Sequence, residues 1–303
     1  MIAKVARDAA PHHRPFIAFP SARAAFRAFL AAVDPSRVGV LLPAYIGWSP
    51  REGSGVFDPI QELDEPFWFY RVDMNLHVDV DHLVTQLDLH RPRVLLVIHY
   101  FGYPDPAYLR VAGLARARGV IILEDEAHAM FTDVVGGVTG RLGAASIVSL
   151  HKLLPVETGG GLFVNRDGRE VCSALVGPSE PAPWSFDLAA LAARRRHNAE
   201  LLRERLGALR GRVDVLWDLP PNVVPQTLPV AVRVGSRDVL YERMNAAGFG
   251  VVSLYHTMID AITRDEFPIS YELARTMMNL PVHQEATDQE LERMIDALDR
   301  FTR

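Results

Sequence analysis

Short apolar runs alternate with amphipathic segments through the first two thirds of the chain. The run VLLVI at 94–98 is apolar throughout, whereas PAYLRVAGLARARG at 106–119 has the spacing of a helix and closes on a glycine. Apolar runs of this length are typical of strands buried on both faces, and intervening helices are typical of connections between parallel strands. The pattern predicts strands at 38–43, 93–102, 120–128, 145–152 and 160–165.

This alternation predicts an α/β fold, in which a large domain holds a parallel or mixed sheet with helices on both faces. A first helix is predicted from Ser21 to Val33, with Ser21 as its N-cap. After residue 170 the pattern changes to a long amphipathic helix and a smaller set of strands and helices. Their predicted bounds are a helix at 188–211, a strand at 225–234, a helix from Ser236 to Gly248, and a last helix that opens with the capping box TDQE at 287–290.

A chain of 303 residues is long enough for two domains, and we place the boundary near residue 200. The predicted units are a large domain, 1–200, and a smaller C-terminal α/β domain, 201–303. The chain is 49% hydrophobic and has a net charge of −5, which gives no support to a nucleic-acid-binding role. Its single cysteine, Cys172, excludes a disulfide framework and a cysteine-rich zinc site, and no metal site is predicted.

The first residues contain no apolar core of a secretory signal, and no apolar run is long enough to cross a membrane. We therefore expect a soluble, cytoplasmic protein without a membrane partner. Polar residues gather where the predicted strands end, and ligands in open α/β sheets bind beyond those ends. The residues at or just past such ends are His99, Asp125, His128, Ser149 and Lys152.

Lys152 is unusual because only two of the 32 basic residues are lysines, and the other, Lys4, lies near the beginning of the chain. Arginine holds a positive charge as well as lysine does, but its pKa is too high for it to attack a carbonyl group. Lysine can do so once its surroundings lower its pKa. Lys152 is thus a candidate for an imine-forming lysine, and the alternative is an ordinary surface lysine.

The segment ILEDEAHA at 122–129 contains DEAH, the metal-binding box of some helicases. That interpretation requires a phosphate-binding GxxxxGK[ST] motif, which the sequence lacks. Asp125 is better explained as a buried carboxylate that faces a cationic partner, because a buried carboxylate without one becomes protonated. A salt bridge to an arginine is the simplest version of this explanation.

Asp125 and Lys152 together form the arrangement that a pyridoxal phosphate site requires, in which an aspartate at one strand end lies 27 residues before a lysine at a later strand end. The lysine forms the imine with the cofactor aldehyde, and the aspartate keeps the pyridine nitrogen protonated. The helix start in FPSARAAF at 19–26 offers free backbone N–H groups for the phosphate, and Ser149 offers a hydroxyl.

The chain resembles the DegT/DnrJ/StrS family of sugar aminotransferases, which have the aspartate aminotransferase fold (fold type I). FPSARAAF resembles the family's phosphate-binding helix, and LLPAYIG at 41–47 resembles the segment that brings an aromatic ring over the cofactor. The four strongest pieces occur in the family's order, and they are HYFGYPDP at 99–106, LARARGVIILEDEAHA at 114–129, SIVSLHKLLPVETGGGLFVN at 146–165 and NLPVHQEATDQELERM at 279–294.

The resemblance implies a role for each matching position. Lys152 would form the imine, Asp125 would pair with the pyridine nitrogen, and His128 would contact the cofactor near its phenolate oxygen. Two histidines are only possible contacts, since His99 is equally well explained as a core residue and a packing role is favoured for His151. The remaining cofactor contacts would be Ser21, Ala22 and Ser149 at the phosphate, and Tyr45 or Trp48 over the ring.

The resemblance also implies an aminotransferase that moves an amino group from a donor, expected to be glutamate, to a keto acceptor such as a keto-deoxy nucleotide sugar. A homodimer is expected, since active sites of this fold type form at a dimer interface. Some relatives carry histidine in place of the lysine and are dehydratases, so Lys152 favours transamination. A pyridoxal-phosphate dehydratase or lyase and a non-catalytic binding protein are the alternatives.

The chain departs from the family pattern in its short length and in the segment 176–188, where no motif for the partner's phosphate is present. REGSGVFDPI at 51–60 is rich in glycine where a helix is expected, and it is either part of a substrate pocket or a surface turn. Because of these departures, the sequence does not identify the keto compound that accepts the amino group. Arg23, Arg141 and Arg275 are candidate clamps for a carboxylate or diphosphate, and the alternative for each is a surface charge.

Overall fold

A computed structural model describes residues 14–175 and 183–303 of the chain. Within these ranges the elements follow the alternation that the sequence predicts. The strands are β1 (Phe16–Phe19), β2 (Val40–Pro43), β3 (Phe67–Tyr70), β4 (Val94–Ile98), β5 (Ile121–Asp125), β6 (Ala145–Ser149), β7 (Gly160–Val164), β8 (Val213–Val215), β9 (Thr227–Val232) and β10 (Met277–Pro281). The helices are α1 (Ala22–Val33), α2 (Phe57–Glu62), α3 (Val80–His90), α4 (Tyr108–Ala117), α5 (Met130–Val134), α6 (Leu188–Leu206), α7 (Arg237–Ala246), α8 (Pro268–Thr276) and α9 (Asp288–Phe301).

The large sheet has seven strands in the order β1-β7-β6-β5-β4-β2-β3. The five strands from β6 to β3 are parallel, whereas β7 is antiparallel to β6 and β1 is antiparallel to β7. All residues of β2, β4, β6 and β7 are buried, as expected for strands that helices cover on both faces. The predicted α/β class is therefore confirmed, and the carboxyl ends of β2, β4, β5 and β6 meet at one edge.

A second, three-stranded antiparallel sheet, in the order β10-β9-β8, follows α6 in the chain. Helix α9 begins with the predicted capping box, in which Thr287 and Glu290 bond reciprocally. The predicted domain boundary at residue 200 lies inside α6 and stays a prediction. Part of the segment 176–188 lies outside the described residues, so its departure from the family pattern has no structural account.

Unbroken apolar runs located the strands of the large sheet that are buried on both faces, but they did not reveal its edge strands. Helix α1 begins after Ser21, whose hydroxyl accepts a hydrogen bond from the Ala24 N–H at 3.1 Å, as the N-cap prediction requires. Strands β1 and β3 were not predicted, and both are edge strands of four residues with partly exposed positions. Four residues are too few for a period of two to stand out from chance.

The triple glycine at 159–161 is explained by close backbone packing between β7, β1 and the start of α1. A Cβ on Gly160 would lie 2.2 Å from the Ala22 nitrogen, and one on Gly161 would lie 2.4 Å from the Phe16 ring. Gly159 has a φ of +119°, a conformation that side-chain-bearing residues rarely adopt. The glycines thus let β7 press against the helix that begins beside the strand ends.

Gly160→Ala is expected to lower the free energy of unfolding by about 1–3 kcal/mol, because its Cβ would collide with backbone atoms that cannot move independently. The matched control is Gly207→Ala, whose Cβ would meet nothing within 4 Å and whose φ of −52° suits alanine. The control should be neutral or slightly stabilising. Urea unfolding of both variants measures the difference, and equal stabilities would contradict the packing account.

Candidate active site

Asp125 is the last residue of β5 and is only 8% exposed. Its Oδ1 accepts a hydrogen bond from the Ala127 N–H at 2.8 Å. Burial raises the pKa of Asp125 above its usual value, and the positive charge of Lys152 opposes this rise. A cationic group placed beside this buried carboxylate would stabilise its charged form, and the predicted pairing with a pyridine nitrogen stays a prediction.

Lys152 lies on a turn that leaves β6 three residues after Ser149. The residue keeps exposed surface, but the surrounding protein removes much of the hydration of its amine. This desolvation lowers the pKa of Lys152, against the opposing charges of Asp125 and Glu52. A larger fraction of the amine is therefore neutral near pH 7 than for a free lysine, and the neutral amine is the nucleophilic form.

His128 lies directly against the lysine, with 3.2 Å between its Nε2 and the Lys152 Nζ. Burial and the charge of Lys152 lower the pKa of His128 well below its usual value, so the ring is neutral and Nε2 can accept a hydrogen from Nζ. The imidazole also packs against the Phe101 ring, which lies nearly parallel to it at a centroid distance of 5.8 Å. His128 thus lies against the lysine, and its expected contact with the cofactor stays a prediction. The sequence analysis did not identify Phe101, although it lies in the segment HYFGYPDP.

The predicted phosphate contacts lie at neighbouring points of the fold. Ser21 and Ala22 form the start of α1, and Gly160 brings β7 within contact of their backbone. Ser149 is buried at the end of β6, with its hydroxyl 3.3 Å from the His151 Nδ1. His151 is exposed and therefore does not fill a core, in contrast to the packing role favoured from the sequence.

The two candidate stacking residues differ sharply in exposure. Trp48 is 45% exposed, whereas Tyr45 is fully buried and its hydroxyl bonds the carbonyl oxygen of Leu254 and the N–H of Tyr255. The Tyr255 ring lies 5.4 Å from that of Tyr45 and packs on the backbone of Gly47. Burial and the charge of Asp125 raise the pKa of Tyr255, so this residue from the C-terminal part belongs to the site's surroundings.

His99 takes the core role that the sequence left open. It is fully buried, and its Nε2 lies 2.8 Å from Glu124 Oε2. Since residues alternate along a strand, Glu124 points to the face of the sheet opposite to Asp125. Among the described residues, His99, Glu124 and Glu126 have ligand-type atoms within 4.8 Å of one another, but both oxygens of Glu124 are already occupied by hydrogen-bond donors.

Arg195 of α6 holds the turn that carries the lysine, and sequence reasoning missed it. It is 1% exposed, and it donates to the carbonyl oxygens of Gln226 at 3.1 Å and Lys152 at 3.5 Å. Burial lowers the pKa of Arg195 to about 10. Its guanidinium also lies over the Phe131 ring, at 5.8 Å from the centroid.

The three arginines considered as substrate clamps each have a carboxylate partner. Arg23 pairs with Asp58 at 3.1 Å, Arg141 with Asp133 at 3.0 Å, and Arg275 with Glu272 at 3.5 Å. Arg23 also donates to the Glu52 carbonyl oxygen, which ties the glycine-rich loop to α1. Because the Glu52 charge acts on Lys152, this loop reaches the surroundings of the site and is more than a remote surface turn.

These residues fit the cofactor that the resemblance implies. Asp125 presents a buried carboxylate whose charge needs a cationic partner, and Lys152 presents a partly dehydrated amine. The start of α1 supplies backbone N–H groups beside the close approach of Gly160. Pyridoxal phosphate has a protonated ring nitrogen, an aldehyde and a phosphate, which match these three groups in turn.

Comparison with protein families identifies a match over most of the chain. Residues 55–176 and 187–299 match the family described as DegT/DnrJ/EryC1/StrS aminotransferase family. Among curated proteins, the uncharacterized protein MJ1066 of Methanocaldococcus jannaschii is 24% identical over 102 residues. That match covers 33% of this chain and only 25% of the relative's length.

Solved structures share the fold over nearly the whole chain. The aminotransferase TlmJ from Streptoalloteichus hindustanus superimposes with a TM-score of 0.74 at 22% identity, covering 95% of this chain and 87% of TlmJ. A mutant of GDP-4-keto-6-deoxymannose-3-dehydratase (ColD) with bound GDP-perosamine gives 0.71 at 16% identity, covering 94% and 88%. The expected fold type I architecture is thus confirmed. Within the described residues, none of the helices has the length and apolar character needed to cross a membrane.

The depressed pKa of His128 makes the stability of the fold depend on pH. The unfolded chain protonates this residue near its ordinary pKa of 6.5, whereas the folded chain does not, so the free energy of unfolding falls as the pH drops below that value. In His128→Gln this fall should be shallower by up to about 1.4 kcal/mol per pH unit between pH 6 and 5. Urea unfolding at a series of pH values compares the two proteins, and identical slopes would refute the buried neutral histidine.

Proposed function

Because the chain belongs to the DegT/DnrJ/EryC1/StrS aminotransferase family, we propose that it is a pyridoxal-phosphate-dependent aminotransferase that moves an amino group from an amino acid donor to a keto acceptor. The observation that carries this proposal is that Asp125, at the end of β5, and Lys152, just past the end of the adjacent parallel strand β6, come together at one edge of the sheet, where the charge of each acts on the other. Glutamate is proposed as donor and a keto-deoxy nucleotide sugar as acceptor, in line with the family resemblance.

When bound, the cofactor supplies a covalent attachment point for the amino group and a ring that accepts electrons from the substrate carbon. The residues of this chain prepare that chemistry. Asp125 holds a negative charge where the ring nitrogen would lie and so favours its protonated form. Ser21, Ala22 and Ser149 are proposed to bind the phosphate, and Tyr45 or Trp48 to cover the ring, with Trp48 favoured by its exposure.

Lys152 is proposed both to attach the cofactor and to act as the base that removes the proton from the substrate carbon bearing the amino group. Its lowered pKa makes the amine easier to deprotonate than that of a free lysine, which suits a group that accepts and releases a proton. His128 is neutral and lies 3.2 Å from the amine, so it can orient the Nζ lone pair without competing for the proton. Arg195 keeps the turn in place through the Lys152 carbonyl oxygen.

A dehydratase is the second candidate, because the chain superimposes on a dehydratase about as well as on an aminotransferase. Lysine at position 152 favours transamination, since the dehydratases among the members of this family carry histidine at the corresponding position. A lyase on the same fold and a non-catalytic binding protein remain alternatives to the proposal. A homodimer and a cytoplasmic location are also proposed from the family resemblance.

Borohydride reduction of the protein loaded with pyridoxal phosphate should fix the cofactor to Lys152, because the reduction makes the covalent link permanent. Peptide mass mapping then locates the adduct, and Lys4 serves as an internal control for unspecific labelling. Lys152→Arg keeps the positive charge and should lose the adduct. Labelling of Lys4 alone in a folded protein would overturn the proposed cofactor role and favour a binding protein.

Incubation of the loaded protein with glutamate should release 2-oxoglutarate in an amount matching the sites, and Lys152→Arg should release none. With an added acceptor, nitrogen-15 from glutamate should appear in the product if the enzyme is an aminotransferase. A product that has lost water and contains no nitrogen-15 would support the dehydratase instead.

The protein is expected to be a homodimer in solution. Size-exclusion chromatography with light scattering should give twice the mass of the chain, both with and without pyridoxal phosphate. A monomer that still binds the cofactor through Lys152 would contradict the dimer but leave the proposed reaction standing.

A further inference from the structure

Tyr45 uses its hydroxyl to hold a segment from the C-terminal part of the chain. Its side chain is fully buried. The hydroxyl donates to the carbonyl oxygen of Leu254 at 2.8 Å and accepts the N–H of Tyr255 at 2.9 Å. Both of these groups belong to the peptide unit between Leu254 and Tyr255. One hydroxyl therefore fixes this peptide unit against the loop that follows β2.

Backbone hydrogen bonds extend the contact between the two segments. The Trp48 N–H donates to the Thr257 carbonyl oxygen at 3.0 Å, and the Ile259 N–H donates to that of Ile46 at 3.1 Å. The two segments run antiparallel where they meet. The segment 254–259 is thus attached to the loop that carries both candidate stacking residues.

The Tyr255 ring lies directly on the backbone of Gly47. A Cβ on Gly47 would lie 2.0 Å from Cδ1 of this ring, so a residue with a side chain would displace it. The ring also lies 5.4 Å from that of Tyr45, a distance at which aromatic side chains pack favourably. Hydrogen bonds and packing together hold Tyr255 in place, while part of the residue stays exposed.

A row of three tyrosines connects Tyr255 with the end of β5. Tyr100 follows Ile98 by two residues, and Ile98 is the partner of Asp125 in the sheet. The Tyr100 ring lies 5.7 Å from that of Tyr45, and its hydroxyl donates to the Tyr45 carbonyl oxygen at 2.7 Å. Burial, and after it the charge of Asp125, raises the pKa of Tyr255. The Tyr255 hydroxyl is therefore neutral and lies in the field of that carboxylate.

We propose that Tyr255 is a binding residue of the active site, whose side chain contacts the ring of the bound cofactor beside Asp125, and that Tyr45 is the positioning residue that holds Tyr255 there. This inference rests on the proposed function, in which Asp125 pairs with the ring nitrogen of pyridoxal phosphate. A partly exposed aromatic ring with a neutral hydroxyl suits the contact, because it can meet both a flat ring and a polar atom. Trp48 keeps its proposed place over the ring.

Pyridoxamine phosphate is the probe for this contact, because it carries the cofactor ring and binds without a covalent link to Lys152. Isothermal titration calorimetry on the full chain freed of cofactor measures its affinity. Tyr255→Phe removes only the hydroxyl and should weaken binding by about threefold. Tyr255→Leu also removes the ring and should weaken binding by at least about tenfold. Wild-type affinity in Tyr255→Leu would overturn the contact.

Tyr45→Phe keeps the buried ring and removes both hydrogen bonds to the peptide unit before Tyr255. It should weaken binding of pyridoxamine phosphate by about threefold to tenfold. Tyr70→Phe is the matched control, since the Tyr70 hydroxyl is also buried and donates to the Leu96 carbonyl oxygen at 3.0 Å. Both variants should unfold at a lower temperature than the wild type, but only Tyr45→Phe should bind the probe more weakly. Equal affinities in the two variants would contradict the positioning role.

The double variant of Tyr45→Phe and Tyr255→Leu shows whether Tyr45 acts through Tyr255. If it does, adding Tyr45→Phe to Tyr255→Leu should change the affinity by less than about twofold, because the positioned side chain is already absent. Two losses that multiply would show independent effects and would overturn the positioning role. Thermal unfolding of each variant, measured first, shows that it is folded. Tyr255→Phe and Tyr45→Phe keep their rings and provide the test even if Tyr255→Leu does not fold.

Borohydride mapping separates this inference from the proposed function. An adduct on Lys152, together with wild-type affinity of Tyr255→Leu for pyridoxamine phosphate, would contradict the tyrosine contact alone. A folded wild-type protein without an adduct on Lys152 would refute the cofactor role and, with it, this inference.

Discussion

The site depends on the removal of water from two groups that would otherwise be fully charged. Asp125 and Lys152 lie at the ends of adjacent parallel strands, where burial raises the pKa of the acid and lowers that of the amine. Each charge partly offsets the dehydration of the other. The two groups place a nucleophilic amine and a cation-binding carboxylate at the same edge of the sheet.

The opposite face of β5 fixes the positions of these two groups. Glu124 is fully buried, and although burial alone would raise its pKa, hydrogen bonds from His99 and Tyr108 lower it below the usual value. Its carboxylate also accepts the backbone N–H groups of Gly140, Leu142 and Gly143, at 2.9, 2.9 and 2.6 Å. That segment leads into β6 and so to Lys152. One carboxylate therefore ties the strand of the aspartate to the strand of the lysine.

The chain surrounds the site with groups from distant parts of the sequence. Tyr255 and Arg195 reach it from beyond residue 185. Arg195 is buried, and among the described residues no carboxylate forms an ion pair with it. Its guanidinium instead donates hydrogen bonds to two backbone carbonyl oxygens. These bonds use its two terminal nitrogens, whereas its Nε has no hydrogen-bond partner among the described residues, and the bond to the Lys152 carbonyl oxygen joins α6 to the turn of the lysine.

The sequence by itself determined the α/β alternation, the N-cap at Ser21, and the placement of Asp125, His128 and Lys152 at strand ends. These follow from local patterns, because apolar runs mark buried strands and the first polar residues mark where they end. Only the tertiary structure decided that Tyr45 is enclosed while Trp48 is exposed, and that His99 pairs with Glu124. It also decided that Phe101 packs on His128, Tyr255 on Tyr45, and that Arg195 bonds the Lys152 carbonyl oxygen. Such contacts join residues far apart in the chain, and neither a period of two nor one of 3.6 carries information about them.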